Sequence, residues 1–400
     1  MEKDQIIRDK TDVIRGKIRN DMSGKSDSDV LVLIEDEILE DVSLSSVSLR
    51  EKSEIIKRIF NKTRRDLNIL EAYATDDEVS EIMVNGKDVI FIEREGVVSR
   101  IPERFDSTTE LEDVIRRIGS KVHREINELS PILDARLEDG SRVNAVYKNI
   151  ALEGPILTIR RFPKTRIKME DLLEFETITK EAAEFLSKLV KGAYNIFISG
   201  GTSSGKTTFL NVLSNYIPKD ERVIVIEDSA ELQISEIGNL VRLECKNANV
   251  QGKGAITMKN LIKTSLRMRP NRIIVGEVRG EEVLDMIQAM NTGHDGSLST
   301  GHGNSPEGML HRLEAMFLQA ADFPIEAIRR QITEGIDIMV HLGRLKNNKR
   351  AVLEISEIDR MDEGRIRLNQ LFRYSFAGGL VRTGNQLINT MKLELKGIQL

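Results

Sequence analysis

Four hundred residues, 40% apolar and 31% charged, are enough for more than one hydrophobic core, so two or three domains are expected. A net charge of −5 argues against a basic face that grips nucleic acid along its length, and a single cysteine, Cys245, excludes an intramolecular disulfide and a four-cysteine zinc module. No apolar run approaches the ~20 residues that span a bilayer, and the charged start Met1-Glu2-Lys3-Asp4 leads into no signal-peptide core. The expectation is a cytoplasmic chain that meets a membrane only through partners.

Residues 1–75 are dense in charge and read as a helical extension, with a flexible break expected from Asp21 to Asp29. After the break, Ile56, Ile59, Phe60, Thr63 and Leu67 fall on one helical face. From residue 76 to 161 the pattern changes. Ile82-Met83-Val84, the turn Asn85-Gly86 and Val89 to Ile92 predict a hairpin. Thr109 and Glu112 have capping-box spacing ahead of the stripe Leu111, Val114, Ile115, Ile118 and Val122. Strand-like stretches follow at Arg142 to Tyr147 and Ile156 to Arg160, so this part is expected to be a compact α+β domain.

Residues 162–178 carry Pro163 and several charges, which suits a linker. Beyond it, residues 179–375 alternate between short apolar runs (Asn195 to Ser199, Val223 to Ile226, Arg272 to Val275) and helical stripes such as Met258, Leu261, Ile262, Leu266 and Val283, Met286, Ile287, Met290. That alternation predicts an α/β domain, a parallel sheet with helices on both faces. Residues 376–400 are left as a C-terminal tail.

The first of these strands leads into Gly200-Gly201-Thr202-Ser203-Ser204-Gly205-Lys206-Thr207-Thr208, followed by a helix. Glycines 200, 201 and 205 let backbone N–H groups turn inward around phosphate oxygens, and the helix N-terminus adds partial positive charge. Lys206 reaches the β- and γ-phosphates, and the Thr207 hydroxyl is placed to ligate Mg²⁺. A random chain of this length shows the pattern on the order of once per hundred chains, before the strand–helix context is counted.

A nucleoside triphosphatase also needs carboxylates near the metal and the attacking water. Two strands end in them, at Glu227-Asp228 and at Glu277. Ligands of doubly wound sheets sit at the carboxyl ends of strands, so both acids qualify, one to polarise water and one to hold the metal through its hydration shell. Spacing alone assigns neither task. His294 and His302 share a Gly- and Ser/Thr-rich stretch that fits no standard zinc spacing and suits sensing of a γ-phosphate better. Arg142 and Arg160-Arg161 at strand ends, and Arg267, Arg269, Arg272 and Arg279 around the second acidic strand, are candidates to neutralise a transferring phosphoryl group.

Four segments in order, Gly200–Thr208, Glu221–Asp228, Arg269–Arg279 and Thr292–Pro306, resemble the Walker A, Asp box, Walker B and His box of the type II/type IV secretion and pilus ATPases. Leu129 to Asn144 and Leu157 to Pro163 look like the CpaF-type branch that serves tight-adherence (Flp-type) pili. The resemblance covers about residues 75 to 375. It implies a RecA-like P-loop NTPase domain that uses ATP and Mg²⁺, in a homohexamer holding nucleotide between its N- and C-terminal domains. Such a motor works at the cytoplasmic face of a membrane, docked on a polytopic platform protein, and nucleic acid is not expected as a partner.

Residue by residue, the resemblance makes Lys206 and Thr207 the phosphate and Mg²⁺ ligands. Glu277 becomes the catalytic carboxylate, facing the metal through water, with Glu227 assisting. His302 becomes the phosphate sensor, and Arg142 and Arg160 the N-terminal phosphate contacts. Gly301 and Gly303 stand where the pattern has an apolar residue and Ala, so a looser His box is expected. A nucleic-acid translocating motor and a nucleotide-binding scaffold without turnover are the competing readings.

Overall fold

The chain divides between residues 165 and 166 into two units, each with its own apolar core. The computed structural model describes residues 2–21, 26–94, 96–137, 139–161, 167–246, 248, 253–346, 349–376 and 378–400. None of the described helices is long and apolar enough to cross a membrane.

The first unit opens with helices Glu2–Asp21, Asp27–Leu39 and Leu49–Arg64. They bury Ile7, Ile14, Val30, Ile34, Ile38, Ile55 and Ile59 together. Of the expected break, residues 22–25 lie outside the described residues. The remainder is ordered by a capping box, in which Ser26 Oγ accepts from the Asp29 N–H and the Asp29 carboxylate accepts from the Ser26 N–H. Leu67 does not continue the third helix. That helix ends at Arg64, and Leu67, Ile69 and Leu70 enter the next core instead.

That next core lies under a six-stranded antiparallel sheet. Its strands are β1 (Val79–Asn85), β2 (Val89–Arg94), β3 (Val97–Ile101), β4 (Ile132–Arg136), β5 (Arg142–Val146) and β6 (Ile156–Arg160), in the order β3-β2-β1-β6-β5-β4 among the described residues. Ile82, Val84, Val143, Leu157 and Ile159 point to one face, against Leu111, Val114, Ile115 and Ile118 of the helix Thr108–Lys121. The cap of this helix is Ser107, whose Oγ accepts from the Glu110 N–H at 3.1 Å, and not Thr109. Glu112 is free for another task because the helix begins earlier than the Thr109 spacing predicts. It is buried and accepts from Arg116 (2.9 Å) and Tyr147 Oη (3.1 Å).

The second unit is built on a nine-stranded sheet. In chain order these are β7 (Ile196–Gly200), β8 (Arg222–Glu227), β9 (Asn239–Glu244), β10 (Arg272–Val275), β11 (Leu298–His302), β12 (Ile338–Arg344), β13 (Arg350–Asp362), β14 (Arg365–Ser375) and β15 (Gly379–Arg382). The order is β15-β14-β13-β12-β7-β11-β10-β8-β9 among the described residues. From β12 to β9 the strands are parallel; β7, β8, β10 and β11 are buried on both faces, while the edge strand β9 is partly exposed. Ile196, Ile198, Val223, Val225 and Ile274 enter one core, while Phe197, Ile224, Ile226, Ile273 and Val275 enter the other.

The expected parallel sheet is extended at its far side by β13, β14 and β15, which are antiparallel. Short connections suffice for antiparallel neighbours, whereas a parallel pair needs a long crossover. The stretch expected as a tail contributes to the fold: β15 pairs with β14, and Leu387 and Leu393 are buried in the core. Part of the expected linker does likewise, through the helix Met169–Glu174 and buried Met169, Leu172 and Ile178. Residues 162–166 of that linker lie outside the described residues.

Candidate functional site

Strand β7 is central to the second sheet, and its end delivers the segment Gly200–Thr208 expected to bind phosphate. A Cβ on Gly200 would lie 2.5 Å from both the Leu342 carbonyl oxygen and Ser204 Oγ, so only glycine fits. Gly205, at φ +91°, caps the helix Lys206–Ser214, and Ser203 is also left-handed at φ +57°. The turn therefore doubles back tightly before the helix. Lys206 is buried, with Nζ donating to the Gly201 carbonyl at 2.9 Å. Burial holds its pKa below the ordinary lysine value. From β13, Arg350 Nε donates to the Ser203 carbonyl at 3.1 Å, a contact no local motif announces.

A polar chain leads from this lysine across the strand ends. Lys206 Nζ lies 3.3 Å from His302 Nδ1, His302 Nε2 lies 2.8 Å from Glu277 Oε1, and Arg279 donates to Glu277 Oε2 at 2.7 Å. An ammonium has only donors, so Nδ1 is the acceptor and Nε2–H faces the carboxylate. Burial, then the Lys206 charge, push the His302 pKa down, which keeps this tautomer neutral at physiological pH.

Glu227 plays a different structural part. It ends β8 fully buried, and Oε1 accepts from the N–H groups of Glu231 (2.7 Å) and Leu232 (2.8 Å). Burial raises its pKa against the lowering effect of those two hydrogen bonds. Among the described residues Oε2 has no hydrogen-bond donor, and Arg242 stands 4.0 Å away. Ser204 Oγ is likewise buried and unpaired among the described residues.

The two histidines part company. His302 joins the chain above, while His294 Nδ1 contacts the Ala289 carbonyl at the end of the helix Glu282–Asn291, 3.1 Å away. Nor is the His box loosened by its glycines. Gly301 is inside β11, where a Cβ would lie 2.9 Å from the Phe197 ring, and a Cβ on Gly303 would lie 2.9 Å from Met309 Cβ. Close packing, and not flexibility, requires glycine at both positions.

The arginines also separate. Arg279 reaches Glu277, but Arg272 begins β10, is fully buried, and forms a bidentate pair with Glu221 while donating to the Val190 carbonyl. Its task is structural. Arg272→Ala is expected to destabilise the protein by about 3–5 kcal/mol, since it strands a partly buried carboxylate. A thermal melt unchanged from wild type would contradict this.

In the first unit Arg142 and Arg160 stand directly opposite each other on β5 and β6, and Arg136 stands opposite Arg142 on β4. Glu81 of β1 completes the row beside Arg160. The three arginines thus stand in register on the face away from the helix. Arg136 was not among the residues singled out from sequence. Its place follows from strand register, which a single motif does not carry.

Comparison with known proteins agrees with this geometry. A profile of the family described as "Type II/IV secretion system protein" matches residues 63–371. An uncharacterised protein of Methanocaldococcus jannaschii is 43% identical over 241 residues, 58% of this chain and 33% of its own length. The chain thus spans about a third of that relative. The probable conjugal transfer protein TrbB of Sinorhizobium fredii is 32% identical over 77% of this chain and 92% of its own. The structure of the Legionella pneumophila ATPase DotB is alike in fold, with a TM-score of 0.52 at 22% identity, covering 73% of this chain and 80% of that one. The second unit accordingly has the RecA-like P-loop NTPase fold, and the chain is a member of the type II/IV secretion system protein family.

Proposed function

We propose that this chain hydrolyses ATP and uses the free energy to drive a pilus-assembly or protein-secretion machine. The observation that carries the reading is the continuous line Lys206–His302–Glu277 laid across the end of the strand that carries the phosphate loop. The residues fit a magnesium nucleotide. Gly200, Gly201, Thr202, Ser203, Ser204, Gly205 and Thr208 would form the phosphate cradle, Thr207 would supply a hydroxyl to Mg²⁺, and the orphaned Ser204 Oγ and Glu227 Oε2 would gain partners. Bound there, Mg²⁺ would supply positive charge to offset that of the phosphates. Glu277, held from one side by Arg279 and from the other by His302, is the base that orients water. His302 relays the state of the γ-phosphate between Lys206 and Glu277. Glu227 holds the segment at Glu231 and Leu232 and assists.

A P-loop alone leaves part of a γ-phosphate to water. The proposed countercharge is the arginine row, with Arg142 and Arg160 as its principal members, and a homohexameric ring is the assembly that brings it to bear. The domain limits that suit this are 76–161 for the arginine-bearing domain and 179–375 for the ATPase. The finer placement, in the CpaF-type branch and docked on a polytopic membrane platform, rests on Leu129 to Asn144 and Leu157 to Pro163.

Phosphate release by the purified chain with Mg²⁺ and ATP is the direct test. Arg142→Ala and Arg160→Ala are each expected to lower kcat by about 10³-fold or more while the second unit stays folded. Specific activity should rise with protein concentration as hexamers form, read by light scattering against dilution. A fully active monomer refutes the ring, and a folded chain that binds but never hydrolyses ATP refutes the enzyme reading.

A further inference from the structure

The segment Gly200–Thr208 is also held from outside, by a residue that none of the sequence motifs includes. Strands β12 and β7 run parallel with Leu342 opposite Gly200, so both lead to the edge of the sheet where the segment begins. From that edge β13 returns antiparallel to β12, and its first residue, Arg350, pairs with Arg344, two residues beyond Leu342. The sheet therefore sets Arg350 beside the turn that follows β7.

There Arg350 Nε donates to the Ser203 carbonyl at 3.1 Å. A Cβ on Gly205 would lie 3.3 Å from Arg350 Cδ, so the aliphatic stem lies against the loop where glycine leaves room for it. Ser203 is the residue of this turn most in need of support. It is left-handed at φ +57°, a conformation that is costly for a residue with a Cβ and that glycine adopts freely.

The peptide after Ser203 is held at both ends. A trans peptide points its C=O and its N–H in opposite directions. With the Ser203 carbonyl turned to Arg350, the Ser204 N–H turns the other way and donates to the Gly201 carbonyl at 3.4 Å. That same carbonyl accepts from Lys206 Nζ at 2.9 Å. The lysine tie is one that an arriving phosphate would compete for, since the amine is the cation meant for it. The arginine tie is not, because Arg350 engages a carbonyl, and a phosphate is gripped by N–H groups. A loop already fixed before binding loses less freedom when the ligand arrives, and the gain appears as affinity.

We infer that Arg350 is a positioning residue of the nucleotide site: by holding the Ser203 carbonyl it maintains the left-handed turn and keeps residues 200–208 shaped for phosphate before nucleotide binds. The inference rests on the reading of residues 200–208 as the phosphate cradle, and it adds a residue from a distant strand that acts through the loop backbone. Its effect is on nucleotide affinity, in contrast to Glu277, whose charge is proposed to act on turnover.

The test uses full-length Arg350→Ala, Arg350→Met and Arg350→Lys, each measured for ADP Kd by calorimetry, for kcat and KM with MgATP, and for thermal melting. Arg350→Ala is expected to weaken ADP binding by about 3- to 10-fold, the scale of one solvent-exposed hydrogen bond, with kcat at saturating ATP within about twofold of wild type. Arg350→Met keeps a stem against Gly205 without the donor, so it should match Arg350→Ala, and it serves in its place should Arg350→Ala fail to fold. Arg350→Lys keeps a charged donor and should recover part of the affinity. A further arm repeats Arg350→Ala in a Ser203→Gly background. Glycine holds a left-handed turn without help, so the penalty for Arg350→Ala there should shrink to less than about twofold.

Wild-type ADP Kd in folded Arg350→Ala overturns the inference. So does full affinity in Arg350→Met, which marks a stem that only packs. A penalty undiminished in the Ser203→Gly background overturns it too, and marks an arginine that contacts the nucleotide directly. A wild-type chain that binds no ADP overturns the cradle reading first, and this inference with it. One that binds ADP without hydrolysing ATP refutes the enzyme reading alone, and the ADP measurements still decide the role of Arg350.

Discussion

Lys206→Ala is expected to abolish nucleotide turnover, with kcat falling at least about 10²–10³-fold, while the second unit remains folded. The amine is buried, and its near neighbours are the Gly201 carbonyl and the His302 ring. Neither is a full countercharge, and burial accordingly lowers its pKa. A cation kept in such a place gains most when a polyphosphate arrives, and preorganised charge of this kind acts on the transition state. The stability consequence has a definite sign. With its folded pKa below the unfolded one, charged Lys206 costs folding free energy at neutral pH, and the cost fades as pH rises above the lowered value. Lys206→Ala should therefore melt at or above the wild-type temperature at pH 7. Steady-state phosphate release at the wild-type rate would sink the assignment, and a large drop in melting temperature would sink the electrostatic argument.

The second large effect separates the two acids. Glu277→Gln should retain ADP binding and lose turnover by about 10²–10⁴-fold, the range for removing a general base. The amide keeps the shape beside His302, but the negative charge that pairs with Arg279, and that is proposed to orient water, is gone. Glu227→Gln should be slowed less. Its Oε1 acts as an acceptor for the Glu231 and Leu232 N–H groups, and a glutamine oxygen keeps that function. Glu227→Ala is different in kind, because it leaves those N–H groups without their acceptor at about 1–3 kcal/mol for each that stays buried. Measuring kcat and ADP Kd for the two Gln variants gives the order, and a more damaged Glu227 variant reverses it.

Local chemistry explains why some of this was legible in the chain alone. Gly200, Gly205 and Lys206 announce a phosphate loop because backbone shape and one cation within nine residues do the work, and neighbours in sequence are neighbours in space. The strands β7, β8 and β10 were legible for a similar reason, since a strand buried on both faces must be apolar without interruption. Glu227 and Glu277 stood out because each ends such a run.

Other assignments needed the tertiary structure, since they depend on residues far apart in sequence. Arg272 and Arg279 lie on one short segment, yet one is locked to Glu221 and the other to Glu277, because opposite ends of β10 face different surroundings. Glycine at 301 and 303 suggests looseness until Phe197 and Met309 are seen against them. The tail and linker residues Leu172, Leu387 and Leu393 gain their burial from strands that no local pattern predicts. Most of all, Arg136, Arg142 and Arg160 form a row, and Arg350 meets Ser203, only through strand register. By itself the sequence determined the phosphate loop and the acidic strand ends, where contacts are local. The tertiary structure decided which histidine and arginine stand beside Lys206 and Glu277 and which glycines are tightly packed, because pairing between distant strands selects partners that spacing along the chain does not encode.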